Sequence, residues 1–529
     1  MLTRRSLLAS AAAGAASLAA PARAAPAGAN TIRFVPAADI AALDPVWTTA
    51  SQTRDHAFLV YDTLFGLDDA LQPQPQMVDS YGVDGDRLRW TLRLRDGLRF
   101  HDGEPVLARD CVASVKRWGV RDSYGQSLLA ATDEIAAHDD KTLVFRLKQP
   151  FAALPSALGK YSSPCVIMPE RLARTDAFTA VTDPTGSGPY RFLADERVPG
   201  AHLGYAKFDG YVPRPNGATQ GNAGPKIAYF EHVEWLIMPD GATAANALRS
   251  AEVDWLRWPV IDVVPMLKRA PGITVTVIEP LGLIGILRFN HLHPPFSNPA
   301  ARQALLPALS QSDYMEACNG DDRSVWHDGI GFFTRGTPMA SDAGLAALTR
   351  PRDLDAARKL LAESGYAGER TVVLQPTDFA IYKAMADVTS QLLKDIGFNV
   401  DLQAMDWATA MQRRNQPAPV TEGGWSVFHT GWGGFEDSIP ITNVWLRGNG
   451  REAAPGWPSS PRLEELRTQW LAASDLAAQQ TVARQMQVQA FADLPYLPTG
   501  QMLTPIAYRS DISGMLKGLP AFWNIRRAG

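Results

Sequence analysis

Apolar and polar residues alternate over 31–35, over 88–94 (Leu88, Trp90, Leu92, Leu94), over 143–147 and over 229–238 (Phe230, Val233, Trp235, Ile237). Each run predicts a half-buried strand. Asp84-Gly85-Asp86, Asp96-Gly97, Asp102-Gly103 and Asp139-Asp140 punctuate the early part as turns. Phe58, Leu59, Leu64 and Phe65 recur at helical spacing and predict a helix over 55–65. Pro105 predicts the start of another, running to about Trp118 and holding Cys111 as a small buried side chain. The block 66–185 therefore reads as a small α+β unit. Residues 205–226, rich in Gly, Pro and Asn, predict a long surface loop or an extended crossing. A helix over 242–250 and a short strand at 253–256 then complete a β-α-β pattern.

The clearest unit is 371–405. A strand at Thr371–Leu374 leads into a helix whose inner face is Ile381, Met385, Val388, Leu392 and Ile396, and Gly397 stops it. Val400 and Leu402 mark the next strand. Strands joined through such a helix run parallel with a right-handed crossover. Just before it, 353–365 reads as a helix with Asp353 as N-cap and Gly365 as its stop. No internal repeat, low-complexity tract or heptad array is present.

Composition changes the picture little. The 529 residues, 46% hydrophobic and 20% charged, fit a globular chain of about three domains. A net charge of −4 argues against a nucleic-acid partner, which usually needs a basic stripe or patch. The three cysteines, Cys111, Cys165 and Cys318, are too few for a disulfide scaffold or a thiolate zinc ribbon. Past the N-terminus no apolar run approaches the ~20 residues of a membrane span.

The N-terminus reads as an address over 1–24. Arg4 and Arg5 precede an uncharged apolar stretch, Leu7 to Ala20, and Ala22-Arg23-Ala24 fits a small-x-small cleavage site. Thr3-Arg4-Arg5-Ser6-Leu7-Leu8 resembles a twin-arginine signal, with Leu7 where phenylalanine is common; an ordinary secretory signal is the alternative. Loss of Arg4, Arg5 and Arg23 takes the net charge from −4 to −7. No cysteine follows the stretch to carry a lipid, so the expected mature protein is free in the periplasm.

Local motifs for nucleophilic, zinc-peptidase, phosphate-loop or dinucleotide chemistry are absent, so no catalytic residue, resident metal or cofactor is expected. His291 and His293 form an H-x-H pair, which on a strand would share a face, but Pro294-Pro295 follows and no acid or thiol is near. Two loop histidines making ordinary hydrogen bonds are the expected reading. Asp84, Asp86, Asp139, Asp140, Asp321 and Asp322 read as solvated turn carboxylates.

One long segment carries a resemblance. Trp90 through Pro105, centred on Arg95-Asp-Gly97 and Phe100-His-Asp-Gly103 and continuing to Arg117, resembles the signature of the extracellular solute-binding proteins of family 5, the peptide- and nickel-type receptors of bacterial ABC importers. Leu43-Asp-Pro45, Tyr61 to Phe65, Thr185 to Tyr190, Phe289-Asn290, Pro295-Phe296 through Ala304, Ala356 to Tyr366 and Gly431-Trp432 follow in the family's order. The resemblance implies an α/β fold of the two-lobed periplasmic binding protein type (type 2, large peptide-receptor class) with an extra α+β subdomain. Mapped on this chain, lobe 1 takes 25–65, 186–282 and 497–529, the subdomain 66–185, and lobe 2 283–496. It further implies a monomer that captures a peptide or peptide-like solute by lobe closure and docks on a membrane permease. A metal-chelate or haem-type receptor using His291 and His293 is the alternative within the family, and a periplasmic peptidase or amidase the alternative outside it.

By the same resemblance, one cleft wall is the segment before the first helix, with Thr49, Ser51, Gln52 and Thr53. The other runs from Trp425 through Trp432 to Phe435, Glu436 and Asp437, although both tryptophans also suit a core. Oligopeptide and dipeptide receptors of the family hold the ligand ammonium with an aspartate three residues after the Gly-Trp pair. Here that position is Phe435, with Glu436 and Asp437 just beyond. The arginine that dipeptide receptors place before the lobe 2 helix is missing from Gln375-Pro-Thr-Asp378. The expected solute is therefore not an ordinary free dipeptide but a longer or capped peptide, or a non-peptide with aromatic or amide character.

Overall fold

The computed structural model describes residues 30–377, 379–473 and 475–528. The export signal expected over 1–24 lies outside the described residues.

The first lobe is built on a seven-stranded sheet in the order Ile273–Thr276, Ile506–Arg509, Trp255–Leu256, Thr31–Val35, His232–Leu236, His202–Lys207, Tyr190–Val198. Thr31–Val35 pairs in parallel with the strands on both its sides, so crossover connections cover it and both its faces are buried. Phe34 accordingly sits inside a ring of aromatics, its centroid 5.2 Å from Trp235, 4.9 Å from Trp255 and 5.1 Å from Phe522.

The second lobe is a six-stranded sheet in the order Trp326–His327, Tyr496–Met502, Leu283–Phe289, Val427–Gly433, Arg370–Pro376, Asn399–Met405. The last three strands are mutually parallel. The helix Ala380–Ile396 makes the crossover foreseen from its apolar stripe, and Gly397 ends it at φ 107°, a left-handed conformation that glycine adopts without strain. Asp353 caps Leu354–Glu363 by accepting the Ala356 N–H at 2.8 Å.

The third sheet is antiparallel, Val78–Val83, Arg89–Leu94, Thr142–Leu147, Thr132–Ala137, under the helices Ala108–Arg121 and Ser123–Ala131. Its Asp-Gly pairs are turns, with Gly97 and Gly103 at φ 77° and 90°. His101 laces this subdomain to the first lobe: its Nδ1 accepts from Gly186 N and its Nε2 reaches Gly188 O at 3.1 Å. Burial holds the imidazole near pKa 4, so it stays neutral and structural.

The structure corrects three expectations. The helix expected over 55–65 spans Ser51–Val60; Tyr61 is extended, and Phe65 instead pairs as a strand with Pro75. The stretch over 205–226 is only partly a surface loop: it begins inside the strand His202–Lys207, 208–220 are half-buried or exposed, and 221–226 turn inward. Asn222, Ala223 and Lys226 are fully buried, because the Lys226 ammonium reaches Asp62 at 2.7 Å and Asn222 Oδ1 accepts from Leu67 N. Finally, Tyr496–Met502 belongs whole to the second sheet, so the chain returns to the first lobe at 503–505 rather than at 497. Among the described residues no helix is long and apolar enough to cross a membrane.

Candidate functional site

The chain passes between the sheets at 277–282 and again at 503–505. In front of these crossings both sheets point the carboxyl ends of their parallel strands at one crevice, the position where open α/β sheets place ligands. Gly434 N donates to Gly282 O at 2.8 Å, so the second lobe's site turn rests directly on the first crossing.

The first lobe presents a neutral ionic cluster. Arg257 follows Trp255–Leu256, and its Nε donates to Asp55 at 3.0 Å while Nη2 donates to Glu279. Arg54 donates to Asp55 at 2.9 Å and lies 3.5 Å from Glu279. Burial alone would raise Glu279, but Arg257 and Arg54 outweigh it and hold the carboxyl below its usual range. Two cations thus answer two acids, and little charge is left for a solute on this wall.

The second lobe presents the opposite. Val427–Gly433 ends at the crevice, and the half-buried Trp432 packs on Trp445 at 6.0 Å with its indole N–H buried and unpaired. Phe435 leaves its own lobe: only 6% exposed, it is inserted among Phe58, Leu67, Tyr161, Leu519 and Trp523, its ring 4.4 Å from that of Tyr161. Glu436 accepts a hydrogen bond from the Ser162 hydroxyl. A wall not foreseen from the sequence, the subdomain loop 160–163, therefore meets the second lobe. It is pinned by the buried Lys160–Asp122 pair at 2.6 Å and by the Trp118 N–H to Ser163 O at 2.9 Å.

Burial raises the Glu436 pKa, and the pull of Lys160 and Arg54 does not cancel it. Asp437 is more extreme. It is 1% exposed, neither carboxylate oxygen has a hydrogen-bond partner, and burial together with the Glu436 charge pushes its pKa well up. Its carbonyl accepts from Thr334 N, whose own hydroxyl is also buried and unpaired. A buried carboxylate without a partner takes a proton or an N–H-bearing cation. With neither oxygen paired, it takes the proton. A carboxyl with a raised pKa weakens the form that buries it as pH climbs above the ordinary carboxylate value of about 4. The melting temperature should therefore fall as pH rises above about 4, and Asp437→Asn should flatten that slope. Equal slopes for the two proteins would contradict the assignment.

Of the other expected site residues, Thr49 is exposed, and Ser51 and Gln52 are half-buried on the first turn of Ser51–Val60, Ser51 Oγ donating to Gln52 Oε1 at 3.4 Å. Two are corrected. Thr53 is buried and donates to Ala42 O at 2.7 Å, tying down its own loop. Trp425 is a core residue, 1% exposed, at the opposite end of its strand from the crevice, with its indole N–H donating to Arg414 O at 3.0 Å. Asp378, in the stretch that lacks the arginine, lies outside the described residues; Thr377 N donates to Met405 O at 2.8 Å.

His291 and His293 sit at the far end of Leu283–Phe289 and reach different carbonyls, Pro495 O at 3.4 Å and Pro417 O at 2.8 Å. Among the described residues no group of three or more His, Cys, Asp or Glu is placed to hold a metal ion. The three cysteines are free thiols, and burial pushes Cys318 up to about 12, so no reactive thiolate forms there.

Comparison with known proteins agrees with this geometry. The model of the bacterial extracellular solute-binding proteins, family 5 (middle), matches residues 72–452. A probable peptide ABC transporter periplasmic-binding protein, y4tO, of Sinorhizobium fredii is 36% identical over 534 residues, covering 100% of both chains. A glutathione-binding protein, GsiB, of Pectobacterium atrosepticum is 26% identical over 472 residues, 86% of this chain and 85% of that one. Among solved structures, the dipeptide-binding protein of Pseudoalteromonas sp. SM9913 in complex with Met-Leu superposes with a TM-score of 0.74 at 20% identity, over 94% of this chain and 100% of that one.

Proposed function

The chain belongs to the bacterial extracellular solute-binding proteins of family 5, and from that premise we propose that it is the periplasmic substrate-binding component of an ABC importer, capturing a peptide or peptide-like solute. Solute bridges the two walls, the lobes close about the crossings at 277–282 and 503–505, and the closed form docks on a membrane permease. The receptor works as a monomer and carries out no chemistry on its cargo.

The observation that carries this reading is the meeting of parallel-strand ends from both sheets at one crevice, with unpaired polar atoms of Trp432 and Asp437 on the second wall. In that crevice Asp437 and Glu436 take an ammonium or amide N–H, Trp432 donates its indole N–H, and Thr49, Ser51 and Gln52 offer short polar contacts from the first lobe. Arg54 and Arg257 are already matched by Asp55 and Glu279, so a free carboxylate gains little on that wall. A solute with a donor at one end and a capped or distant carboxyl fits best. Support also comes from the peptide and glutathione named for the two relatives.

Mass spectrometry of solute released by denaturing protein purified from its native periplasm tests this. The expected solute is a capped, extended or amide-rich peptide-like molecule, and the same compound should raise the melting temperature of stripped protein. Ordinary free dipeptides would refute the charge argument, and turnover of the released compound would refute the receptor reading.

A further inference from the structure

We propose that Phe379, Tyr382 and Trp407 form a stacking shelf for a flat, neutral aromatic ring of the captured solute. This rests on the receptor reading above and assigns one feature of its cargo. The rings lie 4.6 Å apart for Phe379–Tyr382, 4.7 Å for Tyr382–Trp407 and 5.5 Å for Phe379–Trp407, the first two pairs stacked at 27° and 21°. Phe379 and Trp407 stand just beyond the carboxyl ends of Arg370–Pro376 and Asn399–Met405, which open on the crevice. Tyr382 is nearly buried, and its hydroxyl accepts from Gly431 N at 3.1 Å, one residue from Trp432. The close approach needs the glycine, since a Cβ there would meet Tyr382 Oη at 3.1 Å and Leu283 at 2.5 Å. The shelf is thus fixed to the same strand end as the polar groups of the site.

Its outer ring breaks a local rule. Phe379 is the N-cap of Ala380–Ile396, makes no capping hydrogen bond and is 41% exposed. Ser, Thr, Asp or Asn is the usual residue at that place, where its side chain accepts from a helix amide. Rules of this kind are broken where function takes precedence. Three rings together also suit a cationic headgroup, but the charges around them speak against one. The Arg414 guanidinium acts on Tyr382, Lys383 is held by Asp387 at 2.8 Å, and Asp406 is engaged with the amide and hydroxyl of Thr409. A neutral ring, which stacks without carrying charge towards Arg414, is the occupant that fits.

The test exposes stripped, full-length protein to a library of short peptides with free and capped ends, washes it, and identifies the retained members by mass spectrometry. Members bearing Phe, Tyr or Trp should be enriched about fivefold over their aliphatic counterparts. Phe379→Ala, whose side chain is largely outside the core, should lose that enrichment while still retaining aliphatic members. Retention without aromatic enrichment, or enrichment that survives in both Phe379→Ala and Trp407→Leu, overturns the shelf and leaves the receptor standing. Retention of no member overturns both.

Discussion

Phe435→Asp is expected to open the empty protein and to weaken capture by two or more powers of ten. The native ring comes from the second lobe and is buried in an apolar cluster of the first lobe and subdomain, among Phe58, Tyr161 and Trp523. Burying a phenylalanine contributes about 1.5–3 kcal/mol. A carboxylate in the same place adds a desolvation penalty of at least a few kcal/mol. Each 1.4 kcal/mol by which the closed form is disfavoured lowers apparent affinity about tenfold. Small-angle scattering of empty protein should show a larger radius for Phe435→Asp than for wild type, and Phe435→Leu, which keeps the contact, should stay close to wild type. A variant that scatters as wild type and gains affinity for peptides with a free ammonium would instead place residue 435 against the solute, and the latch assignment would fall.

Lys226→Met should produce the largest loss of stability of any single change considered. The ammonium and the Asp62 carboxylate are both fully buried at 2.7 Å, and Asp62 also takes the Tyr211 hydroxyl at 2.9 Å and the Thr63 amide at 2.9 Å. The lysine lies over the rings of Trp523 at 4.9 Å and Phe58 at 5.6 Å, beneath the cluster that receives Phe435. Removing one member leaves an uncompensated buried charge, which costs about 3–5 kcal/mol. Denaturant melts should show that loss, with a fall in melting temperature on the order of 10 °C. Asp62→Asn added to Lys226→Met should return part of it, because the orphaned charge goes with it. A single variant within about 1 kcal/mol of wild type would mean that the pair does not hold the 208–231 segment in place.

What the chain discloses in its sequence is whatever its neighbours along the chain decide. The strand-helix-strand at 370–405 was readable because its stripe, its glycine stop and its partner strand lie within forty residues of one another. The inward turn at 221–226 is not legible locally because its anchor, Asp62, is 164 residues away from Lys226. Composition there reports turn chemistry and says nothing of a buried ion pair. The site divides the same way. Glu436 and Asp437 are proposed from their place after Gly431-Trp432, and Trp432 from its aromatic bulk. Trp425 has the same bulk but stands at the other end of the strand, and periodicity alone does not tell a strand's crevice end from its far end. Tyr161 and Ser162 gave no signal, since their role exists only when the second lobe arrives. A phenylalanine at a helix N-cap is a signal that the sequence itself carries.

Buried apolar residues of the subdomain, such as Leu92 and Phe145, and of the second lobe, such as Phe289 and Trp445, belong to one contiguous cluster. Parting the lobes must wet some of that surface, and bringing them together must dry it. The heat capacity of capture is then set largely by the protein's own walls, and it is negative. Solutes of quite different polarity would share it, differing in enthalpy at one temperature yet changing with temperature in parallel. Warming would make capture more exothermic for each by the same increment, a thermal fingerprint of the scaffold rather than of the cargo.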